Sequence, residues 1–334
     1  MATGIVLFGG YDSNGLDGLW VTNGSGGGTS ELSVAGAFSE GVLHDYQVDA
    51  TVDAGFTALG SEALFMGVNN TSGGRYGLWV TNGTGSGTSE LSVANVNSTY
   101  GLFLSDLTAF GGKALFDGFD ANAEQNLWIT DGTGSGTSEL TIAKAYTSGL
   151  FYNGVAPNLT VFNGGVLFAG DDQNGDVNLW VTNGTAGGTS EFSVVSGAFS
   201  NSGKIDLAPG NLTVFGGKVL FDGFDASGNS NLWVTNGTAA GTSELTVAGV
   251  SELNPYDLTV AGSEVVFVGL DAHGFENLWV TNGGPNGASE ITVPGISELA
   301  PADLTALGNE VLFTAYDATI GGYELWVTNG TVSG

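Results

Sequence analysis

Seven tryptophans, at positions 20, 79, 128, 180, 233, 279 and 326, each stand inside a near-copy of one segment. It reads "LWVTNGTAAGTSELTV" around Trp233 and "LWITDGTGSGTSELTI" around Trp128. Successive tryptophans lie 59, 49, 52, 53, 46 and 47 residues apart, a period that belongs to repeat architectures built from one small supersecondary unit.

Aligned on Trp, every unit offers four short apolar segments. The first is "NLTVF" or "DLTAF", followed at once by "GG" or "NG"; the second is "KVLFDG" or a relative; the third is "LWVT" and the fourth "SELTV". Each is rich in Val, Leu, Phe, Thr and Trp and bounded by Gly, Asn and Asp, which is strand chemistry with hairpin punctuation. No glycine-free stretch carries a helical apolar stripe. The two-residue "GG" and "NG" loops suit antiparallel hairpins, and the longest connection runs from the fourth segment to the next first one. Because side chains alternate along a strand, "VLF" and "LWV" put bulky groups on both faces, so each sheet needs a neighbour on either side. These features predict an all-β fold, a β-propeller of four-stranded antiparallel blades, with residues 1–334 forming a single repeat domain. A linear β-solenoid is the competitor, but its rungs are shorter than this period.

The second and third segments occur seven times, the first and fourth six times. "IVLF" already stands at residue 5, and "NGTVSG" takes the place where another "TSEL" would follow. Three strands are therefore expected in the first and last units and four in the five between. Seven blades is the favoured reading, six blades with extra end strands the alternative.

Composition narrows the partners. With 34 Asp and Glu against 5 Lys and Arg the net charge is -29, while 42% of residues are hydrophobic. Such a chain folds, and it presents an acidic surface. Nucleic acid and anionic lipid require clustered cations, so neither is an expected partner. Arg75, Lys113, Lys144, Lys204 and Lys218 are too few for a patch. There is no cysteine, hence no disulfide or thiolate chemistry. No signal peptide is visible at "MATGIVLFGG", and no apolar run is long enough for a membrane helix.

The "LWVTNGT" units, with "ELWVTNGT" at 324–331, give the whole chain a resemblance to the bacterial ELW-x-x-DGT repeat proteins, although Asn replaces the motif's Asp in six of seven copies. The "VLFxGxDxxG…LW" stretch also looks like the repeats of TolB-type propellers. The resemblance implies a propeller in an extracellular or cell-surface setting, and carries no catalytic residues over.

Several repeated side chains are candidates for binding. The tryptophans, flanked by Leu and Val, are expected in the core. Tyr11, Phe119, Phe224 and Tyr316, at the end of the second strand, are the candidate platforms for stacking on a ligand. The next position holds Asp12, Asp120, Asp172, Asp225, Asp271 and Asp317, with Asn69 in the remaining unit. Oxygen ligands on a Gly-bent loop suit Ca2+, so these six are the candidate metal residues; an Asp that opens a turn by capping its own backbone explains them equally. No cofactor is required by this reading, and Ca2+ is the cation the loops would take. The Glu of "TSEL" reads as a solvated outer-strand residue. His44, with Asp45, Asp49 and Asp53, marks an acidic insert. The repeated "NGT" matches a glycosylation acceptor, and equally a hairpin Asn-Gly.

No reactive constellation breaks the repetition, so the expectation is of a non-enzymatic, secreted or surface-displayed binding module. Its partners would be glycans or cell-surface material, held by many weak equivalent pockets acting together, in the manner of a lectin-like adhesin. A structural or self-assembling surface protein is the alternative, with self-association its partner chemistry. An enzyme with a central-channel site ranks last.

Overall fold

The computed structural model describes residues 4–45, 50–51, 54–70, 74–154, 156–192, 197–201, 204–284, 287–293, 296, 298–317 and 321–331. It is all-β, and its only helical turns are four three-residue 3-10 segments among the described residues. Seven antiparallel sheets follow one another along the chain, three-stranded at each end and four-stranded between, as the repeat count predicts; they match a seven-blade β-propeller. We number them one to seven: residues 6–31, 57–90, 105–139, 160–191, 210–244, 256–291 and 302–328. Strands are in sequential order within each sheet. Two short ribbons, 44–51 and 200–205, lie in the connections after sheets one and four. Among the described residues no helix is long and apolar enough to cross a membrane.

Local chemistry explains the register. In "FGGK" the first and second strands join through Gly111 and Gly112, at φ 60° and 77°, the left-handed pair that a two-residue hairpin needs. The second and third strands then pair so that a Phe faces the repeat Trp directly, as in Phe65 with Trp79, Phe116 with Trp128 and Phe221 with Trp233. The "TNGTxxGT" loop is held by its own side chains. Asn236 Oδ1 accepts from the backbone N–H and hydroxyl of Thr238, while the Thr235 and Thr242 hydroxyls meet at 2.8 Å. A Cβ at Gly241 would overlap the Asn236 amide, so the later glycine of the motif is required. The loop's own hydrogen bonds thus give both the Asn and the Thr of "NGT" a structural role.

The chain divides into two compact units, residues 1–164 with 183–189, and 165–182 with 190–334. Both are built on one packing rule. In the first unit, Leu78 and Val80 of sheet two pack with Phe116 and Trp128 of sheet three. In the second, Leu232 and Val234 of sheet five pack with Phe267 and Trp279 of sheet six. One face of a sheet, carrying the residues either side of Trp, is covered by the Phe–Trp face of the next. Trp79, Trp128, Trp180, Trp233 and Trp279 are at most 3% exposed, so the indoles are interior groups.

The Asn of "NLW" pins the connection that follows. The side-chain oxygens of Asn126, Asn231 and Asn277 accept the N–H groups of Leu150, Leu253 and Leu299 at 2.9, 2.9 and 3.0 Å. Buried backbone donors in a long loop need such partners.

Candidate functional site

The turn after the second strand opens on an Asp in six of the seven repeats. Asp12 Oδ1 accepts the backbone N–H groups of Asn14 and Leu16 at 2.7 and 2.9 Å. Asp120, Asp172, Asp225 and Asp271 cap their turns in the same way. The carbonyl of Asp317 accepts from Gly321 N–H at 2.9 Å. The six candidate metal residues stand in six different sheets. Among the described residues, no group of three His, Cys, Asp or Glu is placed to hold a metal ion.

What the fold does bring to the turn is the Glu of the fourth strand. The pKa values of Glu139, Glu244 and Glu290 are raised, first by burial and then by the charges of Asp120, Asp225 and Asp271 respectively. The Glu expected as a solvated outer-strand residue is thus half-buried in Glu139, Glu244 and Glu290. Its contact with the turn is set by strand register and shows in no local spacing.

Sheet two departs from this pattern. Asn69 replaces the turn Asp, and Asn69 pairs with Arg75, extending both strands. The Asn69 amide donates to both oxygens of Glu90 at 2.9 and 3.0 Å, where an Asp would repel them. Glu90 lies against the backbone at Gly77, where a Cβ would overlap its carboxylate. Desolvation raises its pKa, opposed by the Asn69 donors and the Arg75 charge. Arg75 is half-buried, and its Nε is buried with no hydrogen-bond partner. These groups line a cavity of about 240 Å³ whose other wall is apolar, with Val93, Val96 and Leu102. A guanidinium, a carboxylate and an apolar wall together suit a small molecule that carries a carboxylate beside an apolar group.

The four candidate stacking residues are not equivalent. Tyr11 and Tyr316 are 62% and 42% exposed. Phe224 is half-buried, and Phe119 is stacked on Phe103 with centroids 5.9 Å apart. The histidines are also committed. His44 is buried, with Asp17 3.0 Å from Nδ1 and Glu40 3.0 Å from Nε2, so both ring nitrogens face carboxylates. Of its acidic neighbours in sequence, Asp49, Asp53 and the Asp45 side chain lie outside the described residues. His273 is exposed, beside Asp271 and stacked near Phe275.

No family model and no curated protein matches the sequence, so the ELW-x-x-DGT resemblance stands without a family match. Solved structures do match. A puromycin hydrolase is similar at 14% identity and TM-score 0.52, over 98% of this chain and 51% of that one. The β-propeller domain of the Trilobed protease from Pyrococcus furiosus matches at 12% identity and TM-score 0.43, over 98% and 92%. A putative TolB from Agrobacterium tumefaciens matches at 12% identity and TM-score 0.37, over 69% and 79%. The chain spans about half the length of the puromycin hydrolase. The puromycin hydrolase likeness bears on the fold, and structure neighbours do include TolB-type and other propeller proteins.

They also correct the functional expectation. A non-enzymatic lectin-like adhesin is not what this fold resembles; puromycin hydrolases and a puromycin-hydrolyzing peptidase are among the matched structures. The aromatic residues expected as equivalent platforms also differ in exposure, Tyr11 and Tyr316 being exposed and Phe119 and Phe224 half-buried. At this identity the likeness assigns the chain no activity, and the expectation that it is not an enzyme loses its support.

Proposed function

We propose that this chain is a peptide-handling propeller that works with a peptidase active centre. The observation that carries the reading is its span: nearly the whole chain matches about half of a puromycin hydrolase. The Arg75 cavity supports it from the chemistry. A peptide's terminal carboxylate would meet the guanidinium, its last side chain the Val93–Leu102 wall, and Glu90 would accept an N–H from the peptide backbone. Bond cleavage would fall to the companion centre, since His44 has both nitrogens against carboxylates. The acidic surface and the motif resemblance support an extracellular or surface location for this assembly.

Calorimetric titration with the tripeptide Gly-Gly-Phe tests the reading. Binding should weaken at least tenfold when the peptide's C-terminus is amidated, and equally with Arg75→Ala, a loss of about 1.4 kcal/mol or more. Equal binding of the free and amidated peptides, or no binding of either, would overturn it. So would hydrolysis of Gly-Gly-Phe or puromycin by this chain alone.

A further inference from the structure

Arg75 and Glu90 line one cavity from adjacent strands of sheet two, and the Arg75 charge acts on the Glu90 carboxylate. Among the described residues no ion pair joins the two side chains. Glu90 is held instead by the Asn69 amide, at 2.9 and 3.0 Å, and the Arg75 Nε is buried with no hydrogen-bond partner. The cavity therefore presents a positive and a negative group near each other, neither neutralised by direct contact with the other. Such a pair attracts a molecule that carries both signs on neighbouring atoms.

Size and lining narrow that molecule. At about 240 Å³ the cavity is smaller than the roughly 300–1,000 Å³ of pockets that enclose drug-sized ligands, so one small residue fills it. Its apolar lining, Leu91, Val93, Val96 and Leu102, packs on the core between sheets two and three. Sheet six shows what the same place holds when the turn keeps its Asp. There the hollow is lined by Asp271, Glu290 and His273, and it offers a carboxylate no guanidinium.

We propose that the Arg75 cavity binds a free apolar α-amino acid as its zwitterion, with the carboxylate on Arg75, the ammonium on Glu90 and the side chain against Val93, Val96 and Leu102. The proposal rests on the reading of this cavity as a carboxylate site, and names the molecule it holds most tightly. In a peptide bound by its C-terminus, Glu90 meets a neutral amide N–H. In the free residue it meets a full positive charge, which adds a Coulomb attraction that the amide lacks. A ligand with no ammonium would instead bring its carboxylate beside Glu90, with Arg75 alone to offset both. Hydrolysis of a peptide's last bond releases such a residue, its new ammonium on the atom that was the amide nitrogen.

Calorimetric titration with L-phenylalanine and with 3-phenylpropionate tests the proposal, with Gly-Gly-Phe as the reference. The second ligand has the same carboxylate and ring, with hydrogen in place of the ammonium. The parent should bind L-phenylalanine at least about tenfold more tightly than 3-phenylpropionate. Glu90→Gln should remove that preference, while Arg75→Ala weakens both ligands. L-phenylalanine that binds the parent no more tightly than 3-phenylpropionate, or not at all, overturns the proposal. If Gly-Gly-Phe still binds and still needs Arg75, the carboxylate reading survives that result; if none of the three binds, both fall. A preference for L-phenylalanine that persists in a folded Glu90→Gln chain also overturns the proposal, because the ammonium would then lie elsewhere. The comparison in the parent needs no variant, so it decides even where Glu90→Gln does not fold.

Discussion

The indole N–H of Trp233 donates to the carbonyl oxygen of Gly223, ten residues earlier on the adjoining strand, at 3.0 Å. Trp20, Trp128, Trp180 and Trp279 repeat the bond with Gly10, Gly118, Gly170 and Gly269. In Trp326 the same nitrogen is buried with no partner. One residue type therefore has two energetic roles. Trp233→Phe should cost about 1–3 kcal/mol, because it strands a buried carbonyl, and Trp233→Ala about 3–5 kcal/mol. Trp326→Phe removes an unpaired donor and should cost less than Trp233→Phe. Urea denaturation of the three variants checks the order.

Stability should pass through a maximum at mildly acidic pH. Burial raises the pKa of Asp117, against donors from Ser105 and Gln125, and raises that of Asp106 and Asp222. A raised folded-state value means that the folded chain binds more protons than the unfolded one between the ordinary carboxylate value of about 3.9 and the raised value. Lowering the pH through that window should therefore stabilise the protein, and should also relieve its self-repulsion. Below it the sign reverses: backbone and side-chain donors at the exposed turns lower the pKa of Asp12 and Asp131, and protonating them loses those bonds. Melting temperature from pH 8 to 3 should rise and then fall, and Asp117→Asn should flatten the rise. A steady fall from pH 8 would count against the buried carboxylates.

The turn aspartates can be separated from a metal role. Asp225 Oδ1 accepts Ser227 and Asn229 N–H at 2.8 and 2.9 Å, so Asp225→Ala should cost about 1 kcal/mol and Asp225→Asn, which keeps an acceptor, less. Calcium should raise the melting temperature no more than NaCl of equal ionic strength. A calcium-specific gain that disappears in Asp225→Ala would instead make these turns cation sites.

The strands were legible because their signals are local. "GG" fixes the hairpin, and "VLF" with "LWV" shows that both faces are buried. What escaped was the long-range half of each device. Asn231 looks like a strand-edge residue until Leu253, 22 positions on, is seen to donate to it. Arg75 read as one of five scattered cations, since only the pairing of Asn69 with Arg75 puts it beside Glu90. The surroundings of the aromatic candidates were illegible for a similar reason: Phe103, which stacks on Phe119, belongs to the variable connection and lies outside the repeat.

Hydrogen–deuterium exchange tests the account's central claim, that within each compact unit the Leu face of one sheet is covered by the Phe–Trp face of the next. Residues 75–81 and 322–328 are equivalent third strands, the first paired on both edges and the second, among the described residues, on one. Amides of 75–81 should exchange with the slowest class in the molecule, together with 125–130 and 230–235, while those of 322–328 exchange far faster. Equal protection of 322–328 and 75–81 would contradict the account, because pairing on both edges under a packed Phe–Trp face would then give the strand no added protection.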